Sequence, residues 1–437
     1  MKFSSKDYEI RIMTLDPGHF HAALVQKTMY PQVSSDAFVY APEGEDVELH
    51  MNRINAFNSR HENPTNWNVT LYTGDDFFKR MLEEKPGNVV VLSGNNAKKT
   101  EYILKAVQNG INVLSDKPMV ITPETFPILE QAFEEADKRG VLLYDIMTER
   151  YEITTMLQKK LAHVTGIFGE LKKGSIEEPA VTKESVHHFF KYVSGKPLIR
   201  PPWYFDVEQQ GEGIVDVTTH LVDMIHWECF PGEIIDRKNI QMISAQRWPT
   251  KIDAGMFEKV TGMSSFPGYL SKDISNDTLF VYSNGAFIYT INGVFAKVSV
   301  IWNFEAPEGT GDTHYSIMRG TKANLVIKQG AEENFKPTLY VKAVDGQDIY
   351  QTLHQTVSEK WQEEFPGLSL SEVAVGTWKL DIPDTYKVGH EAHFAQVTEK
   401  YLSYLTTGKM QEWEVPNMIT KYFITTEALK LARKLKN

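Results

Sequence analysis

The sequence predicts an α/β protein: a Rossmann-type, doubly wound parallel sheet at the N-terminus, followed by an α+β domain with a large, mostly antiparallel sheet. Three observations predict it. Over the first 150 residues short apolar runs alternate with helical spacing through brief connections, the pattern of strand–helix–strand units. Beyond that point the chain turns to long strand-like segments and an Asn-Gly turn signal. From about 388 to 437 helical spacing returns.

The first strand is the run Ile-Arg-Ile-Met-Thr-Leu from Ile10, and Asp16-Pro17 then offers an N-cap and a proline at the first helical position, ahead of a helix over His21–Met29. A strand at Ala37–Tyr40 precedes a helix near Asp46–Asn58. Asn88–Leu92 is the uninterrupted apolar run of a strand buried on both faces, and its helix spans about Ala97–Asn109 with Gly110 just beyond. Ile111–Leu114 is the next strand, Ser115-Asp116-Lys117-Pro118 its loop, and Thr122-Pro123 caps a helix that ends at Gly140, before Val141–Ile146. In the second part Thr182–Val193 is a long strand carrying His187 and His188. Leu279–Ser283 and Phe287–Ile291 flank Asn284-Gly285 as a hairpin, and Val298–Phe304, Tyr315–Met318 and Leu325–Lys328 add strands. Val388–Leu435 reads as two helices broken at Pro416. The expected organisation is two domains, 1–150 and 151–437, with the final helices packing back on the first domain.

With 437 residues and 42% hydrophobic content there is ample chain for folded cores. Lys plus Arg number 46 and Asp plus Glu 57, a net charge of −11, which argues against a phosphate-tracking nucleic-acid surface. Cys229 is the single cysteine, so no disulfide framework or thiolate metal cage is expected. The charged N-terminus lacks the apolar stretch of a signal peptide and no run approaches a membrane span; a reducing, cytoplasmic setting without membrane contact is expected.

The informative stretch lies between Gly211 and Trp227. A Gly-Glu-Gly turn leads into Ile-Val-Asp-Val-Thr-Thr-His-Leu-Val-Asp-Met-Ile-His-Trp, which has helical periodicity. Ile214, Val217, Leu221, Met224 and Ile225 share one face, and Asp216, His220, Asp223 and Trp227 form a separate stripe. A carboxylate one turn from an imidazole is a general-base arrangement. Its plain alternative is a solvated polar stripe. A divalent metal on Asp216, His220 and Asp223, joined by His187 or His188, is a further alternative; adjacent strand residues point to opposite faces, so only one of those histidines would join. Arg200-Pro201-Pro202-Trp203-Tyr204, just upstream, supplies an Arg and aromatics suited to a small-molecule pocket wall.

Asp116-Lys117-Pro118 together with Gly-Glu-Gly-Ile-Val-Asp216-Val-Thr-Thr-His220-Leu-Val-Asp223 resembles the glucose-fructose oxidoreductase/inositol dehydrogenase/MocA (Gfo/Idh/MocA) family. That family carries a Glu-Lys-Pro motif and a Gly-Gly-x-x-x-Asp-x-x-x-His-x-x-Asp helix. Phe168-Gly169-Glu170-Leu171, Arg200-Pro-Pro-Trp-Tyr and the Trp413, Pro416, Lys421 helices extend the likeness over nearly the whole chain. The resemblance implies an NAD(P)-dependent oxidoreductase of a sugar or cyclitol. Lys117 would contact the nicotinamide ribose and the reacting hydroxyl, Asp216 would orient substrate, and His220 would take the hydroxyl proton. Arg150, Tyr151, His187 or His188, Trp203 and Asp223 are candidate substrate contacts, each with an ordinary structural alternative. A homodimer or homotetramer through the second-domain sheet is expected from the same likeness, and no metal is assigned.

The cofactor end departs from the family. Where Gly-x-Gly-x-x-Gly is expected, the chain reads Met13-Thr14-Leu15-Asp16-Pro17-Gly18, so only the last glycine remains. Gly18 and His19 are left for the phosphates, Glu43 for the ribose in place of an acidic strand end, and Asn95 and Asn96 with Asp116, Lys117 and Pro118 for the nicotinamide side. NAD and NADP both stay open. So do two other readings: a tightly held NAD recycled in a net non-redox cleavage, and a non-catalytic sugar-sensing protein.

Overall fold

The computed structural model describes residues 9–193 and 196–434; the predicted helix end at Leu435 and the first eight residues lie outside them. The chain divides into two compact units. The first comprises residues up to Thr148, Pro201–Gly211 and His390–Tyr422; the second comprises Glu149–Arg200, Glu212–Gly389 and the chain from Phe423.

In the first unit β1 (Ile12–Leu15), β2 (Asp36–Ala41), β3 (Asn68–Thr73), β4 (Val89–Leu92), β5 (Asn112–Asp116) and β6 (Leu143–Ile146) form one parallel sheet. Their order is β3-β2-β1-β4-β5-β6. Every residue of β1, β4, β5 and β6 is buried, and β4, Val-Val-Val-Leu, reads as an uninterrupted apolar run for that reason. The order reverses between β1 and β4, and the carboxyl ends of those strands flank the crevice where such sheets place ligands.

The intervening helices are α1 (His21–Leu24), α2 (Glu45–Ser59), α3 (Phe77–Glu84), α4 (Lys99–Gln108) and α5 (Phe126–Arg139). Three starts differ from expectation. Asp16 adopts a left-handed φ of 49° and turns its carboxylate to Tyr102, so it caps nothing; α1 begins at His21 and is one turn long. Thr122 closes a turn on Thr125 and α5 begins at Phe126. Pro416 lies in the first turn of the last helix, where a missing N–H costs nothing, and the break precedes it.

The second unit begins with α6 (Ile153–Ala162) and β7 (Val181–Phe190), followed by a small ladder of β8 (Tyr192–Val193) and β9 (Lys196–Pro197). A short helix, α7 (Val207–Gln210), belongs to the first unit; α8 (Thr218–Cys229) belongs to the second. Then come β10 (Ile240–Asp253), α9 (Ala254–Thr261), β11 (Ile274–Ser275), β12 (Thr278–Ile291), β13 (Val294–Glu305), β14 (Thr313–Arg319), β15 (Ala323–Lys328), β16 (Thr338–Ala343), α10 (Tyr350–Gln355), β17 (Ser369–Ala374) and β18 (Thr377–Asp381). α11 (His390–Thr407) and α12 (Glu414–Lys434) end the chain.

The second sheet runs β10-β12-β13-β7-β14-β15-β16-β18-β17, antiparallel except where β7 meets β13, with β11 beside β12. Helices α6 and α8 pack on it. Between them Lys183 and Glu228 form a fully buried ion pair at 2.6 Å, completed by Gln158, which Ser316 also binds. The predicted hairpin at Asn284-Gly285 is absent, because β12 runs straight through it. Asn284 spends its side chain on Trp248 O, Thr250 and the Trp302 N–H, while Gly285 lies against Ile214, where a Cβ would come within 2.7 Å. The turn is one Asn-Gly later. Asn292 and Gly293 have φ of 51° and 78° and join β12 to β13, the two positive φ values that a tight hairpin of this kind demands.

Candidate functional site

In the second unit the site begins with a glycine. Gly213 donates its N–H to Tyr282 O at 3.1 Å, and a Cβ there would lie 1.7 Å from Ser283 O, so only glycine lets the chain cross β12 this closely. The Val215 and Asp216 N–H groups then turn back on Glu212 O, and α8 starts at Thr218 rather than at Ile214. The Glu212 carboxylate is itself buried between Arg247, at 3.0 Å, and Arg433, at 2.9 Å. This entry turn positions Asp216, and His220 follows one turn later on α8. Asp216 and Asp223 are each 4% exposed, which decides against a solvated stripe, whereas His220 retains partial access. Arg150 binds Asp223 through two hydrogen bonds, and Lys159 sits 3.6 Å above the Trp227 ring. Tyr151 is half-buried beside Arg150 in the chain.

Also in the second unit, both β7 histidines meet one carboxylate. His187 Nδ1 lies 2.9 Å from Asp312 Oδ2, while His188 places its N–H 3.2 Å and its Nδ1 3.4 Å from Oδ1; Lys191 joins them. The two histidines leave β7 on opposite sides, yet both reach the Asp312 carboxylate. Asp312 lies in the loop before β14 and offers one oxygen to each. Burial alone would raise the Asp312 carboxyl, but His187, His188 and Lys191 hold it well below the usual range. His187 stacks on Trp302, which also receives the Arg200 guanidinium at 5.2 Å; Arg200 is anchored by the His188 and Phe189 carbonyls. Asp312, Trp302 and Arg200 thus complete a polar-aromatic cluster of which the sequence pointed only to the histidines and the Arg.

In the first unit the carboxyl edge gathers the remaining candidates. Asp116 ends β5, buried, with Oδ2 accepting from Ser93 at 2.8 Å and lying 2.9 Å from His21 Nδ1. His19 Nδ1 is 3.8 Å away, and Lys99 donates to the Asp116 backbone carbonyl at 3.1 Å. Burial alone would raise this carboxyl too; His21, Lys99 and His19 keep it well below the usual range. Lys117 follows, half-buried, with a cis peptide bond to the buried Pro118. Asn95 binds Gln209 and Asn96 binds Gln210 O, so both amides hold the segment around α7. Glu43 is exposed in the loop after β2. Trp203 donates to Asp46 at 2.9 Å, and both rest on Gly18, where a Cβ would meet each at 3.1 Å. His21 was missed by the sequence reading; its only signal is the His-x-His spacing with His19.

Residues 157–433 match the family model described as "Putative oxidoreductase C terminal domain", and residues 47–144 match "Oxidoreductase family, NAD-binding Rossmann fold". The chain belongs to the Gfo/Idh/MocA family of oxidoreductases.

Solved Gfo/Idh/MocA-type structures similar to it include one described as a "putative oxidoreductase" from Parabacteroides merdae, 56% identical over 100% of both chains with a TM-score of 0.97. The 3-ketoreductase KijD10 of Actinomadura kijaniata, solved with NADP and TDP-benzene, is 12% identical over 97% of each chain, with a TM-score of 0.57. GenD2 of gentamicin A biosynthesis, solved with NAD, is 13% identical over 100% of this chain and 98% of its own, with a TM-score of 0.60. A comparison with curated proteins finds no match. Among the described residues no helix is long and apolar enough to cross a membrane.

The first unit therefore carries the NAD-binding Rossmann domain of the Gfo/Idh/MocA family, whose cofactor is NAD or NADP. Its strand order, β3-β2-β1-β4-β5-β6, is that of dinucleotide-binding sheets. The first loop is built differently from a glycine cradle. Pro17 has no N–H, and the N–H groups of Asp16, His19 and Ala22 are spent on Tyr40, Ser93 and His19 carbonyls. Burial raises the Asp16 and Asp46 carboxyls, and Trp203 and Asp46 cover Gly18. Residues 15–20, which form this loop, precede the matched segment.

Proposed function

We propose that this member of the family oxidises or reduces a C–OH/C=O carbon of a sugar, sugar derivative or cyclitol. NAD or NADP, when bound, supplies the acceptor or donor of the hydride. His220 takes the substrate hydroxyl proton as the carbonyl develops, since an imidazole is the side chain whose basicity suits that transfer near neutral pH. Asp216 orients the substrate hydroxyl and assists proton movement. Lys117 donates to the oxygen as it gains alkoxide character, an electrostatic contribution that grows toward the transition state. The observation that supports this reading is a buried carboxylate, Asp216, one turn ahead of a partly accessible imidazole, His220, on a turn that Gly213 alone permits. Arg150 and Asp223, bound to one another, brace the same helix, and the His187/His188/Trp302 cluster offers the polar and aromatic groups that bind sugars.

The test is nicotinamide reduction by the full-length protein against a panel of sugars and cyclitols. Net reduction with the wild type, lost in Lys117→Ala and His220→Ala variants that keep their circular dichroism, is the expected result. Unchanged turnover in either variant would sink the assignment. The crowded loop over Gly18 favours one second reading, in which the nucleotide is held tightly and recycled within a net non-redox conversion. That reading predicts nucleotide that co-purifies and product without net change in nicotinamide absorbance.

A further inference from the structure

We infer that His19, His21 and Asp116 form a binding site for one divalent transition-metal ion of the zinc, manganese or iron class. Among the described residues theirs is the one group of three or more His, Cys, Asp or Glu whose ligand atoms all converge within 4.8 Å. The Asp216/His220/Asp223 stripe is not such a group, so a metal reading of α8 has no support from side-chain convergence.

The donor set is two imidazoles and one carboxylate, the combination that leaves open positions on a bound transition metal. His21 Nδ1 and Asp116 Oδ2 are 2.9 Å apart, and His19 Nδ1 is 3.8 Å from the same oxygen. Ligands about 2.1 Å from a tetrahedral ion stand roughly 3.4 Å from one another, so the three need only small rotamer adjustments to close on it. His19 Nδ1 also takes the His21 N–H at 3.4 Å, the long end of a hydrogen bond that an ion would displace.

The surroundings suit an ion better than a bare anion. His21 turns its Nε2 to His390 Nε2 at 3.2 Å. With Nδ1 on the metal, His21 carries its proton on Nε2 and donates it to His390, the second partner that fixes tautomer and ring orientation in metal sites. Ser93 also donates to Asp116 Oδ2, at 2.8 Å, and so fixes the carboxylate from a second element. Lys99 is the opposing charge; it is bound to the Asp116 backbone carbonyl. The site stands at the carboxyl ends of β1, β4 and β5, at the reversal of strand order, where His-x-His directly follows a loop that keeps only Gly18 of the glycine cradle. It needs none of the roles proposed above for Lys117, Asp216 and His220, so either assignment can fail alone.

The experiment is calorimetric titration of full-length, tag-free, chelator-treated protein with zinc chloride and with manganese chloride, followed by cobalt(II) spectra. One ion per chain is expected for the wild type. Binding should weaken more than about tenfold in His21→Ala and Asp116→Asn, and stay unchanged in His61→Ala, a histidine outside the cluster. His19→Gln, a gentler change, serves if either variant misfolds by circular dichroism. Folded wild type that takes up no ion, or binding that survives loss of His21 and His19, overturns the site.

Discussion

Arg150 grips Asp223 with two near-parallel hydrogen bonds, Nε to Oδ2 at 2.6 Å and Nη2 to Oδ1 at 2.8 Å, with side chains only 10% and 5% exposed. A pair this buried is costly to break from one side, because the surviving charge loses its partner without regaining water. Asp223→Ala should therefore cost about 3–5 kcal/mol of unfolding free energy in denaturant titration. Arg150→Lys, which keeps the charge but not the fork, should cost less and leave the fold intact. A loss below about 1 kcal/mol in Asp223→Ala would mean that the pair is not what braces α8.

Asp216→Asn and His220→Ala should separate orientation from proton transfer. Removing a positioned general base costs typically about 10²–10⁴ in rate, so His220→Ala should fall in that range at neutral pH. Asp216→Asn keeps a hydrogen-bonding side chain of the same shape and should retain more activity. Steady-state kinetics on variants with wild-type melting temperatures checks this; equal, small effects would move the proton acceptor elsewhere.

The parallel sheet was legible because strands buried on both faces, such as Val89–Leu92, carry their environment in their composition. β3 escaped notice because it lies at the sheet edge and its residues alternate only weakly between exposed and half-buried. The two Asn-Gly pairs show the limit of local signals. Position 284 and position 292 look alike in sequence, yet Asn284 is committed to partners on two neighbouring strands and Asn292 to a turn. For the site, Lys117, Asp216 and His220 lie in short motifs and could be picked out. His21 reaches Asp116 across 95 residues and His188 reaches Asp312 across 124, and no spacing rule announces such meetings.

Gly213 and Gly285 bracket the crossing of the motif turn and β12, and they should respond to alanine in proportion to what a methyl would strike. At Gly285 it meets Ile214 Cβ at 2.7 Å, which gives only if the Ile214 backbone moves by a few tenths of an ångström, so Gly285→Ala should cost about 1–3 kcal/mol. At Gly213 it meets a backbone carbonyl at 1.7 Å, which cannot give without moving β12. Gly213→Ala should cost more than Gly285→Ala and lower kcat as well, because Asp216 hangs from that turn. Thermal melts and kinetics on the two variants decide the order; the reverse order would contradict the packing described.

His50 on α2 should set part of the acid sensitivity. It is 2% exposed, and neither ring nitrogen has a hydrogen-bond partner among the described residues. Burial, reinforced by Arg53, pushes its pKa down to about 4 from an ordinary 6.5. Below pH 6.5 the unfolded chain therefore binds a proton that the folded chain refuses. Stability is complete above 6.5, falls as the pH drops, and levels off near 4. At about 1.4 kcal/mol per pH unit the loss approaches roughly 3 kcal/mol. His50→Leu removes the titrating ring and fills similar space. Its unfolding free energy should match or exceed wild type at pH 7, where two unpaired nitrogens are gone, and should decline less between pH 6.5 and 4. Parallel pH slopes for the two proteins in denaturant titrations would place the acid sensitivity on other groups.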